Sequence, residues 1–206
     1  MSDQKKTLII KPADSFKPLE EVFKCSGVIA YPTETFYGLG VDPFNLAAIE
    51  RLFLLKGRSQ KNPVSIIVKD AMMLSRVAIR IPPVAEGLMK RFWPGPLTIV
   101  FEAHPSIPAM LTGGTGTVAV RISSNEVCVK LLSTLGSPIT ATSANPSGAV
   151  AASTPEEALG YFNGKIDALI NGGKLTARLG STIVDATTDK IKIIREGEIP
   201  SAKILS

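Results

Sequence analysis

The sequence predicts an α/β domain built on a mixed β-sheet, and three observations lead there. Short apolar runs alternate with stretches whose apolar residues recur at helical spacing, the pattern of strand, helix, strand. Toward the C-terminal end, strands succeed one another across polar turns, so the sheet is expected to mix parallel and antiparallel pairs. With 206 residues, 45% hydrophobic and 20% charged, the chain has the length and composition of one large globular domain.

In chain order, Leu19, Val22 and Phe23 lie at helical spacing between Lys17 and Ser26, and Gly27 is the expected stop. Val28-Ile29-Ala30-Tyr31 then reads as a strand closed by Pro32. Thr33-Glu34-Thr35-Phe36-Tyr37-Gly38-Leu39-Gly40, with its hydroxyls and turn glycines, reads as a ligand loop. Asn45 is placed to cap a helix with an apolar stripe of Leu46, Ile49, Leu52 and Phe53, which ends near Lys56-Gly57-Arg58 and so sets two cations at its close. Val64 to Val68 reads as a strand, Asp70 as the cap of a short helix through Val77, and Pro82 to Phe92 as another helix.

Two prolines and a glycine make Trp93-Pro94-Gly95-Pro96 a turn, and Leu97 to Phe101 follows as a strand. Gly113-Gly114-Thr115-Gly116 leads into a strand from Thr117 to Ile122, whose alternation places Thr117, Ala119 and Arg121 on one face. A helix around Val127 to Leu135 stops at Gly136. The strand Pro138 to Thr142 then delivers a second polar loop, Ser143-Ala144-Asn145-Pro146-Ser147-Gly148. Thr154-Pro155-Glu156-Glu157 combines an N-cap, a proline at the first helical position and a glutamate three residues after the cap, and its helix should end near Gly164. Ile166 to Ile170, Ser181 to Ala186 and Lys190 to Arg195 complete the strands, separated by Gly172-Gly173 and by the turn Thr187-Thr188-Asp189.

Met1 to Lys6 has no apolar stretch of the signal-peptide kind, and no run approaches the roughly 18 apolar residues of a membrane helix, so a soluble, cytoplasmic protein is expected. Cys25 and Cys128 stand far apart and are expected as buried small apolar residues, with no spacing suited to zinc or a redox pair. His104, the sole histidine, is expected on the surface of a proline-rich loop, which leaves a Ser-His-Asp triad or a histidine metal site without support. A net charge of +5 and a pI of about 9.2 favour anionic ligands, nucleotide or RNA, without choosing between them.

The chain offers no histidine cluster, no plausible cysteine nucleophile and no obvious pair of loop carboxylates, so covalent catalysis is poorly supported. Its loops instead carry Lys56, Arg58, Arg121 and Arg195 together with Thr33, Thr35, Thr117, Ser143, Asn145 and Ser181. Guanidinium forks and hydroxyls bind oxyanions in defined geometry, so this set suits phosphates and a carboxylate. Nucleotidyl transfer needs little more, because alignment and charge compensation are its main demands. There is neither a P-loop nor a dinucleotide fingerprint, since Gly113-Gly114-Thr115-Gly116 precedes a strand; ATP would need another arrangement.

Four ordered loops, Tyr31 to Gly40, Lys56-Gly57-Arg58, Trp93-Pro94-Gly95-Pro96-Leu97-Thr98 and Ser143-Ala144-Asn145, resemble the YrdC/Sua5/TsaC family. Gly180-Ser181-Thr182-Ile183-Val184-Asp185 and Ile194-Arg195-Glu196-Gly197 extend the likeness over about residues 8–200 of a single domain assigned to 1–206. The resemblance implies a YrdC-like fold: a twisted mixed β-sheet with flanking helices around a concave basic cavity. It also implies that L-threonine, bicarbonate and ATP react to threonylcarbamoyl-adenylate and pyrophosphate, the product serving N6-threonylcarbamoylation of adenosine 37 in tRNA.

Carried onto the matching positions, Lys56, Arg58, Thr117, Ser143, Asn145 and Arg195 would bind ATP, with Lys56 and Arg58 catalytic, while Thr33, Arg121, Ala141 and Ser181 would surround threonine. Magnesium would accompany ATP on its phosphate oxygens, with no protein ligand assigned. The proteins that transfer the threonylcarbamoyl group would be partners, with tRNA a further candidate. Longer relatives of the family have a histidine where Ile67 stands here, and a further C-terminal domain, so the chain resembles the short, single-domain form.

A non-catalytic double-stranded RNA or tRNA binder is the competing reading, motivated by the basic charge; no interleaving of Lys/Arg with exposed aromatics supports it. A carbamoyl-transferring relative of the hydrogenase-maturation kind is a third, weakened because such domains sit inside much longer chains with zinc-finger cysteines.

Overall fold

The computed structural model describes residues 6–206; the expectation for Met1 to Lys6 falls, Lys6 apart, outside the described residues. The strands are β1 (Leu8–Ile10), β2 (Ile29–Tyr31), β3 (Gly38–Gly40), β4 (Ser65–Ile67), β5 (Leu97–Glu102), β6 (Thr117–Arg121), β7 (Ile139–Ser143), β8 (Ala168–Ile170), β9 (Thr182–Asp185) and β10 (Lys192–Arg195). The helices are α1 (Lys17–Lys24), α2 (Leu46–Lys56), α3 (Ala71–Leu74), α4 (Pro83–Phe92), α5 (Ala109–Thr112), α6 (Glu126–Leu135), α7 (Pro155–Phe162) and α8 (Ser201–Leu205).

All ten strands join one mixed sheet in the order β1-β8-β2-β3-β7-β4-β6-β5-β9-β10. Strands β1 and β8, β2 and β8, β4 and β6, and β5 and β9 pair in parallel; the remaining neighbours are antiparallel. The expected α/β class and mixed sheet are therefore what the chain forms. Helices flank the sheet and bury apolar stripes against it: Leu19 and Phe23 from α1, Ile49, Leu52 and Phe53 from α2, Leu131 and Leu132 from α6, and Phe162 from α7.

Helix starts follow local chemistry closely. Asn45 Oδ1 accepts from Ala48 N at 3.1 Å, Asp70 Oδ1 from Met73 N at 2.8 Å, and Asn125 Oδ1 from Val127 N and Cys128 N. Thr154 and Glu157 close the reciprocal capping box that their spacing predicts.

Other features depart from the sequence reading. The left-handed residue after α1 is Ser26, at φ 58°, and not Gly27, whose role is spatial: a Cβ there would lie 2.4 Å from Val22 O. Cys25 is exposed, because it sits at the outer end of α1 with its Sγ 3.2 Å from Glu21 Oε1; Cys128 is buried as expected, and burial pushes its thiol up to about 12. Leu46 is exposed too, and Ala48 takes the inward position. Strands β1 and β3 and helices α5 and α8 are too short to show periodicity, and none was expected.

Strand β3 runs where a loop is predicted, because its glycines allow a close approach. A Cβ on Gly40 would fall 2.5 Å from Ile139 Cδ1 and 2.7 Å from the ring of Tyr31, which is fully buried and donates from its hydroxyl to Thr140 O at 2.8 Å. Gly40→Ala should therefore destabilise the fold by about 2 kcal/mol, an overpacking effect. That lowers Tm by about 4–8 °C for a chain of this size, measured by thermal unfolding; an unchanged Tm would mean that Tyr31 and Ile139 yield freely.

Candidate active site

Strands β3, β7, β4, β6, β5, β9 and β10 are consecutive in the sheet, and residues from every one of them line a cavity of about 390 Å3. That volume lies within the roughly 300–1,000 Å3 of small-molecule sites. The loop after β2 closes one side with Thr33, Thr35, Phe36 and Tyr37. Three guanidinium groups, those of Arg58, Arg121 and Arg195, reach the lining, and no carboxylate does.

Two of these cations are held by neutral oxygens. Arg58 follows the left-handed Gly57 that ends α2, and it donates from Nε to Asn62 O at 3.1 Å and from Nη2 to Pro63 O at 2.8 Å. Arg195 donates from Nη2 to Ser181 O at 2.7 Å. The register of β10 on β9 shifts between Ile193 and Arg195, a bulge that lets the successive residues Ile194 and Arg195 both line the cavity. Burial lowers the pKa of both arginines, and the charge of Arg121 adds to the effect at Arg195.

Arg121 is held differently. It is buried at the end of β6, and its Nη1 donates to Glu34 Oε1 at 2.7 Å and to Thr35 Oγ1 at 3.3 Å. The Ser123 hydroxyl donates to the other Glu34 oxygen, Ser123 Oγ accepts from Asn125 N, and Asn125 Nδ2 donates to Thr33 O at 3.3 Å. Thr33 Oγ1 accepts from Thr35 N and donates to Phe36 O at 2.7 Å, which sets the turn of that loop. Ile67, beside Arg121 in the ladder, is fully buried and brings no polar group.

Lys56, at the last position of α2, is 3% exposed and lies behind the lining. Its ammonium donates to Ser143 O at 2.5 Å and Asn145 O at 2.6 Å, and its carbonyl accepts from Ser147 N at 2.8 Å. It therefore fixes the loop after β7 from both ends of one residue. Burial, with a smaller contribution from Arg58, brings its pKa down from 10.5 to about 8. In the same loop Asn145 Nδ2 donates to Pro146 O and Ala149 O, while its Oδ1 is buried without a hydrogen-bond partner.

Of the residues singled out by sequence, the structure brings Thr33, Thr35, Arg58, Arg121, Ala141, Ser143, Ser181 and Arg195 to the cavity. Lys56 and Asn145 stand behind it. Thr117 does not reach it: its hydroxyl pairs with Thr115 Oγ1, and it lies four residues from Arg121, roughly 13 Å along a strand. Sequence reasoning placed Glu34 and Tyr37 in a ligand loop without giving either a role, and missed Ser65 and Ser123. Glu34 left a further signal, a carboxylate set among hydroxyls in a loop otherwise suited to anions. His104 is exposed and shares a hydrogen bond with Ser106, and Trp93 donates from Nε1 to Leu97 O at 2.6 Å, a structural tie across its turn. Among the described residues no three His, Cys, Asp or Glu side chains gather as a metal site, and no helix is long and apolar enough to cross a membrane.

A family model named Sua5_yciO_yrdC, described as telomere recombination, matches residues 21–197. The threonylcarbamoyl-AMP synthase of Pyrococcus abyssi is 40% identical over 177 residues, which are 86% of this chain and 52% of that protein. The threonylcarbamoyl-AMP synthase of Thiobacillus denitrificans is 39% identical over 173 residues, 84% of this chain and 92% of that one. The chain thus spans about half the length of the first relative and nearly all of the second. The crystal structure of P. abyssi Sua5 complexed with L-threonine superposes with a TM-score of 0.91 at 35% identity, covering 96% of this chain and 59% of that one.

Proposed function

Since the chain belongs to the Sua5/YciO/YrdC family, we propose that it is an L-threonylcarbamoyladenylate synthase, joining L-threonine, bicarbonate and ATP into threonylcarbamoyl-AMP and pyrophosphate. The observation that carries this reading is the cavity itself: three arginines and several hydroxyls converge with no acid, histidine or thiol in the lining. That is a site for aligning anions and offsetting their charge.

Arg121, with Thr33, Ala141 and Ser181 around it, takes the carboxylate and side chain of threonine; Arg58, Arg195 and Ser143 take the triphosphate. Lys56 and Asn145 hold the segment that follows Ser143 from behind the lining. The neutral amine of threonine bonds to the carbon of bicarbonate, the C–O bond to the bicarbonate hydroxyl breaks, and that hydroxyl leaves as water with the amine's proton, giving a carbamate. A carbamate oxygen attacks the α-phosphorus, the bond from that phosphorus to the β-phosphate oxygen breaks, and pyrophosphate leaves with the electron pair. The lining offers neutral oxygens and no carboxylate, so it supplies no protein ligand of the kind magnesium favours; the metal would arrive on the oxygens of the triphosphate, where it would offset phosphate charge. The product passes to proteins that modify adenosine 37 of tRNA, in the cytoplasm.

Pyrophosphate release from ATP and bicarbonate, with L-threonine, with L-serine and with neither, tests the reading. Release that depends strongly on threonine is the expected result. No release, together with tight and salt-sensitive tRNA binding, would replace it with the RNA-binding alternative.

A further inference from the structure

Three arginines line one cavity, and under the reading above they receive two unlike anions: a triphosphate and a single carboxylate. Arg58 and Arg195 form no ion pair among the described residues and meet neutral acceptors only. Arg121 alone carries a counter-charge, in an ion pair whose side chains are 8% and 11% exposed. Glu34 itself is not part of the lining, so it acts on Arg121 from behind the wall. Its second oxygen is held by Ser123, so the carboxylate is fixed from two elements and does not swing away.

We propose that Glu34 is the specificity-determining residue that sorts these two anions. By neutralising Arg121 it makes that end of the cavity a donor site of nearly zero net charge. Repulsion from Glu34, the more distant charge, offsets much of the attraction of Arg121 for a phosphate with two or more negative charges, which settles on Arg58 and Arg195. A carboxylate carries half that charge or less, and the remaining N–H groups of a guanidinium locked in place still give it directed, charge-assisted hydrogen bonds. The inference rests on the site being one for ATP and threonine. A purely structural Glu34, tying the loop of Thr33 to the start of α6, would instead affect both ligands alike.

Calorimetric titration of L-threonine into wild type and Glu34→Gln, with and without inorganic pyrophosphate, separates these roles. In wild type, threonine affinity should be insensitive to pyrophosphate. In Glu34→Gln, which keeps an acceptor for Arg121 but removes the charge, pyrophosphate should compete, raising the apparent Kd for threonine about tenfold. Equal insensitivity in both proteins, or equal loss of both ligands in the variant, overturns the proposal.

Leaving Arg121 buried without its partner threatens folding, so the double variant Glu34→Gln/Arg121→Gln, which exchanges one neutral pair for another, provides the second test. Its pyrophosphate affinity should stay within about twofold of wild type; a drop as large as that of Arg195→Gln shows that Arg121 already served phosphate and sinks the idea. A wild type that fails to bind threonine overturns the synthase reading instead, while the pyrophosphate titrations still decide what Glu34 does.

Discussion

Lys56→Ala loses the reaction and weakens the fold together. The variant removes a buried ammonium that satisfies Ser143 O and Asn145 O, so an acceptor in the loop after β7 is left without its partner. An unsatisfied buried polar group costs about 1–3 kcal/mol, which denaturant unfolding will detect. That loop adjoins Ser143, the last residue of β7, and its displacement, added to the loss of a positive charge behind the phosphate subsite, should lower threonine-dependent pyrophosphate release about 10²–10³-fold. A variant as stable as wild type would contradict the role given to Lys56.

The same lysine separates structure from charge through pH. With a folded-state pKa of about 8 against 10.5 when unfolded, Lys56 gives up its proton early in the native state. A neutral amine retains two N–H groups, enough for both carbonyls, so the loop keeps its tie while the positive charge is lost. Activity should thus fall as pH rises through about 8. Stability runs the other way: between about 8 and 10.5 the unfolded chain binds the extra proton, so this group's contribution grows with pH and is lost as pH falls through 8. A falling activity limb with an opposing stability slope identifies Lys56, and an activity limb absent near pH 8 removes it from the electrostatics of the site.

Much of the architecture is legible in the sequence, and for identifiable reasons. Caps such as Asn45, Asp70 and Thr154 act within three residues, so they can be read locally and the structure bears them out. Strand β3 could not be read this way, because Gly38-Leu39-Gly40 has no strand propensity; it exists because β2 and β7 hold it from both sides and Tyr31 fills the space the missing Cβ atoms leave. The cavity cations could be listed from composition and loop position. Their partners could not: Glu34 and Arg121 are 87 residues apart, and Lys56 reaches Asn145 across 89. What distinguishes a paired from an unpaired arginine is a tertiary property, and so is the bulge that turns both Ile194 and Arg195 to one side.

Arg58→Ala, in contrast with the lysine two residues before it, should abolish the chemistry and spare the fold. Arg58 stands at the open side of α2, and the carbonyls it engages, Asn62 O and Pro63 O, belong to an exposed loop where water replaces a lost donor. Its removal should shift stability by no more than about 0.5–1 kcal/mol. What it takes away is one of the two guanidinium groups in the lining with no acidic partner among the described residues, the charge best placed to hold phosphate oxygens as pyrophosphate departs. A loss of about 10²–10³-fold in kcat/KM for ATP is expected, with the affinity for threonine nearly unchanged because Arg121 keeps its own partner in Glu34. Calorimetry for each ligand, beside the rate of pyrophosphate release, reads the two effects separately. Because the charge of Arg58 also helps to depress Lys56, the alkaline limb of any residual activity should move above pH 8 in this variant. Wild-type turnover in Arg58→Ala would place the phosphate subsite elsewhere in the cavity, and equal weakening of both ligands would mean that Arg58 shapes the site as a whole instead of one end of it.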